Sequence, residues 1–67
     1  MIDILVNALD AYIKLCKDEK DKTAKRMICE RAFGACQYHV MMFPSDQRTA
    51  EYLWVIYKPQ FENILGE

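Results

Sequence analysis

Ala24–Phe43, AKRMICERAFGACQYHVMMF, holds two of the three cysteines and the only histidine. Wound at about 100° per residue, it sorts into two sides. Two apolar rows run along one side at steps of four, three, four, three. The first is Ile28, Ala32, Ala35, His39, Met42, and the second is Cys29, Phe33, Cys36, Val40, Phe43. Lys25, Arg26, Glu30, Arg31, Gln37 and Tyr38 hold the other side. A stripe two rows wide suits a helix with two neighbours rather than a single coiled-coil seam. Gly34 lies on the polar side at a cost of about 1 kcal/mol in helix propensity, and a close contact is its one expected purpose. Pro44 ends the helix, because the residue before a proline is pushed out of the α region.

Upstream, residues 2–17 read as another helix. Ile4, Leu5, Val6, Ala8, Leu9, Ala11, Tyr12, Ile13, Leu15 and Cys16 cover an arc wider than half its circumference, which predicts burial on more than one side. Asp10 and Lys14 are spaced for a weak surface pair. The run Lys17–Lys22, KDEKDK, has neither Gly nor Pro to announce a break. Phase decides. A continuous helix over residues 2–43 would aim its apolar arcs in nearly opposite directions at its two ends. A turn near Asp18–Lys22, with Asp21 or Thr23 capping the next helix, lets both arcs share one core.

Downstream, Pro44-Ser45-Asp46 is a second break, with Ser45 or Asp46 suited to cap a third helix over residues 46–64. Ala50, Leu53, Trp54, Tyr57, Phe61, Ile64 and Leu65 make its main stripe. Tyr52, Val55 and Ile56 lie off it as a second contact patch. Pro59 predicts a kink or a break, and Gly66 suits a C-cap. The expected fold is all-α, one domain over residues 1–67, a three-helix antiparallel bundle with helices at about 2–17, 22–43 and 46–64. Trp54, Tyr57, Phe33 and Phe61 are its expected anchors, since aromatics bury the most area per residue.

The chain has 67 residues, 52% of them hydrophobic, and a net charge of −1. A bundle this short has a high surface-to-volume ratio, so that much apolar surface predicts association. The expected product is a homodimer, with another protein as an alternative partner, meeting through Leu5, Leu9, Tyr12, Ile13, Tyr52 and Ile56. No apolar run reaches the length that spans a bilayer, and the first residues lack a basic segment, so a cytoplasmic location with free thiols is expected.

Cys36 and His39, three apart, can aim at one spot, and thiolate with imidazole suits zinc. Cys29 is about 10 Å further along the axis, and Cys16 could approach Cys29 across an antiparallel hairpin. A closed site needs four ligands, so Cys36 and His39 would have to meet their copies across a two-fold axis to make a metal- or thiol-dependent sensor. The favoured reading makes the cysteines apolar fillers and His39 a core-edge group bonded to a carbonyl or across an interface. A histidine at such a contact would respond to pH. Gln47, Arg48 and Thr49 after the Pro-Ser-Asp turn resemble the start of a recognition helix. Residues 44–67 nevertheless hold four acids against two bases, so a nucleic-acid partner is not expected. Neither a cofactor nor enzymatic activity is expected, because a short helical chain has little room for a substrate pocket. The expected function is a small helical protein–protein interaction module: an adaptor, regulator or accessory subunit.

Overall fold

The structure, a computed structural model, describes residues 2–66. Three helices make up nearly all of it: α1 (Ile2–Asp18), α2 (Lys22–Met42) and α3 (Gln47–Gly66), with a 3-10 turn at Pro44–Asp46 between the last two. Helix α1 packs on both others, and α2 packs on α3.

The first turn forms without glycine or proline because Glu19 supplies the bonds. Its carboxylate accepts from the backbone N–H groups of Lys20 at 3.0 Å and Asp21 at 3.2 Å. Asp21, with extended backbone, then caps α2 by accepting from the Ala24 N–H at 3.0 Å. The chain reverses, so residues 2–43 are two helices. At the second turn α2 stops at Met42, directly before Phe43-Pro44.

Neighbours in space give the directions. Ile4 and Ala8 share a groove with Tyr38 and Met42, and Leu15 shares one with Ala24 and Met27, so α1 and α2 are antiparallel. Val40 lies near Ala50, and Cys29 near Lys58, so α2 and α3 are antiparallel as well. The two rows of α2 are divided accordingly. Ala35, His39 and Met42 look toward α1, while Cys29, Phe33, Cys36 and Val40 look toward α3.

The core is Leu5, Leu9, Ile13 and Cys16 of α1, Ala32 and Cys36 of α2, and Ala50, Tyr57, Phe61 and Ile64 of α3. Leu9, Cys16 and Phe61 are fully enclosed. Of the expected anchors, Phe61 and Tyr57 are interior. Trp54 is half-buried, and Phe33 lies on the surface with its ring centroid 5.2 Å from that of Trp54.

Four expectations need correction. Leu5, Leu9 and Ile13 are covered by their own chain, so they offer no area to a second copy; the centre of α1's broad arc fills the monomer's core. Of the kink or break expected at Pro59, the break is absent: α3 is one helix through it. The missing bond is tolerable there because Val55 and Pro59 are exposed and water can reach the freed carbonyl. Gly34 makes no close contact: a Cβ added there meets nothing within 4 Å. Asp10 takes the hydroxyl of Tyr57 as its hydrogen-bond donor, tying α1 to α3 across 47 residues of sequence.

Candidate functional site

His39 is the one buried polar side chain among the described residues, at 6% exposure. It belongs to the row of α2 that faces α1. Its Nε2 lies 2.8 Å from Oδ2 of Asp46, in the 3-10 turn. A carboxylate only accepts, so Nε2 carries the hydrogen. Phe43 leans on the ring with centroids 5.0 Å apart, and its backbone N–H donates to the His39 carbonyl at 2.7 Å. His39 therefore clasps the end of α2 to the turn that follows. Its partner is a carboxylate of its own chain, where a carbonyl or a group across an interface was expected. Asp46 serves this clasp instead of capping α3, and no side chain caps the turn itself.

The clasp also bears on Cys36. Asp46 engages Nε2 of His39, which leaves Nδ1 as the one ring nitrogen open to another partner. Burial pushes the Cys36 thiol up from its ordinary value, which disfavours the thiolate that a nucleophile or a zinc ligand needs. Cys29 is pushed up chiefly by burial, with Cys16 and nearby carboxylates adding to it, and Cys16 by burial against an opposing pull from Lys25. The Cys16 thiol also donates weakly to the Lys25 carbonyl, at 3.7 Å. Among the described residues no three His, Cys, Asp or Glu side chains gather where a metal would sit.

The surface carries a second kind of feature. Among the described residues ten large hydrophobic side chains are exposed: Ile4, Leu15, Met27, Phe33, Tyr38, Met41, Met42, Tyr52, Val55 and Ile56. Nine of them fall into three places, and Met41 stands apart near the end of α2. Along the α1–α2 seam, Ile4, Tyr38 and Met42 line one groove with Ala8 and Ala35, and Leu15 and Met27 line a second beside Ala24 and Ile28. Between α2 and α3, Phe33 and Trp54 border an open groove of about 310 Å³ that reaches down to Cys36 and Ala50. On the outer side of α3, opposite its buried Ala50, Tyr57, Phe61 and Ile64, stand Tyr52 and Val55, 66% and 68% exposed, flanked by Ile56.

Of the residues expected to form an interface, Tyr52 and Ile56 are on this outer patch, and Tyr12 is half-buried beside the core. Gln47, Arg48 and Thr49 are exposed on the first turn of α3, where the Gln47 amide donates to Glu51 at 3.1 Å. The chain's reading missed the clasp to Asp46, because a turn residue's choice between capping and a distant ring is not periodic. It also missed the exposure of Phe33 and Met42, whose places in the two apolar rows set them inward. Among the described residues no helix is long and apolar enough to cross a membrane. Comparison with family models, with curated proteins and with solved structures gave no match, so what can be said of this chain's role comes from its own surface.

Proposed function

We propose that this chain is a small helical protein–protein interaction module, a non-enzymatic adaptor, regulator or accessory subunit that acts as a homo-oligomer in the cytoplasm. The observation that carries the reading is the even division of its apolar side chains. Among the described residues ten hydrophobic ones form the core, and ten large ones stand exposed along the helices of the bundle. Scattered exposed hydrophobics are ordinary, whereas stripes along helices are what partner helices bury. Three exposed methionines, Met27, Met41 and Met42, add flexible apolar area of the kind that adapts to a partner.

Sedimentation velocity and native mass measurement over a range of concentrations test it. A species heavier than the 7.9 kDa chain, growing with concentration, is the expected result. A single 7.9 kDa species at every concentration up to about millimolar, the weak end of specific affinity, would falsify the self-association.

A further inference from the structure

Helix α3 bears a stripe that its own bundle leaves uncovered. Arg48, Tyr52, Val55, Pro59 and Glu62 recur at steps of four, three, four, three, and all five are exposed. The steps are those of a coiled-coil seam. Its centre is apolar and its ends carry opposite charge. Arg48 and Glu62 are each seven residues from Val55, about 21 Å apart along the axis. Neither enters an ion pair within the chain among the described residues.

We infer that the outer face of α3 docks on the same face of a second copy, antiparallel about a two-fold axis at Val55. This rests on the self-association proposed above and names its surface. The charge pattern selects the occupant and its direction. Antiparallel pairing brings Arg48 of each copy to Glu62 of the other, twice, by symmetry. Parallel pairing sets Arg48 against Arg48 and Glu62 against Glu62. The same register lays Tyr52 over the ring of Pro59 and brings the Ile56 side chains together near the axis. It also sets Glu51 of one copy beside Lys58 of the other along one flank, a further pair of opposite sign. A contact whose two halves are the same patch must be self-complementary in this way. The face between α1 and α2 has no such pattern, because its Glu19 and Arg31 both line the loop end.

Charge reversal tests the docking by sedimentation equilibrium, with helicity and melting followed by circular dichroism. Arg48→Glu alone and Glu62→Arg alone each replace two attractions by two repulsions, and each should weaken the dimer about tenfold. The double variant R48E/E62R should restore it. Val55→Lys, which sets two ammonium groups at the axis, should leave a folded monomer. Arg31→Glu, on the other face, should change nothing. A wild-type dimer that tolerates the single reversals or Val55→Lys overturns the α3 docking and leaves self-association standing through another face. Single reversals that weaken the dimer without rescue by the double overturn the antiparallel register. A wild-type monomer at all concentrations overturns both this inference and the reading beneath it.

Discussion

The phenol of Tyr57 donates to the Asp10 carboxylate, and that bond, aided by burial and by the charge of Asp10, holds its proton up to about 12 against an ordinary value of 10.0. An unfolded chain releases the same proton near 10. The stability this group contributes is therefore intact below pH 10 and is lost as pH climbs toward 12. Tyr57→Phe should remove that alkaline loss. At neutral pH it should destabilise by about 1 kcal/mol, because exposed Asp10 regains water. Urea titrations of both proteins from pH 7 to 12 check this, and parallel curves above pH 10 would count against it. Asp46→Ala should cost more, about 2 kcal/mol, because it strands the N–H of buried His39. The expected readout is a lower urea midpoint at an unchanged slope. Neither pairing was legible in the sequence, since both join residues whose partners the helical period does not select.

At the scale of the helix, periodicity with the two breaks predicts 2–17, 22–43 and 46–64, within two residues of the observed Ile2–Asp18, Lys22–Met42 and Gln47–Gly66. The two rows of α2 announced two neighbours and found them. A turn separates α1 from α2 where the phases of their apolar arcs require one, although no Gly or Pro marks it. Glu19 does that work through a side-chain bond to the backbone, which residue type alone does not reveal. At Pro59 the chain does not break: an exposed proline late in a helix removes one bond that water replaces, and α3 continues. Gly34 offers a direct test. With nothing within 4 Å of an added Cβ and no positive φ, Gly34→Ala should stabilise α2 by about 1 kcal/mol. A lowered melting temperature would mean that the glycine answers to a contact outside the chain. Asp21→Ala should do the reverse and cost about 1 kcal/mol through loss of the cap at Ala24.

For the whole molecule, area alone is not the argument for company. The accessible surface is 4870 Å², against about 4400 Å² expected of a monomer of this mass. The difference is small and goes with an elongated body of 36 × 16 × 16 Å. What bears on association is which side chains stand on that surface, ten large hydrophobic ones among the described residues. The sequence's excess of apolar residues was legible, but their division between core and exterior was not. Both sides of α1's wide arc look alike until α2 and α3 choose one. Leu9→Asp consequently belongs with folding rather than association: Leu9 is fully enclosed, and the variant should lose helicity at every concentration. A folded Leu9→Asp monomer would contradict the packing.

Three traverses are an odd number, so Ile2 and Gly66 lie at opposite poles of a rod 36 Å long. Whatever is fused before the first helix and whatever is fused after the last leave in opposite directions, and the bundle acts between them as a stiff strut. Two fluorophores carried on such fusions should report that separation by energy transfer. Joining the poles into a ring would take a linker of about ten extended residues or more.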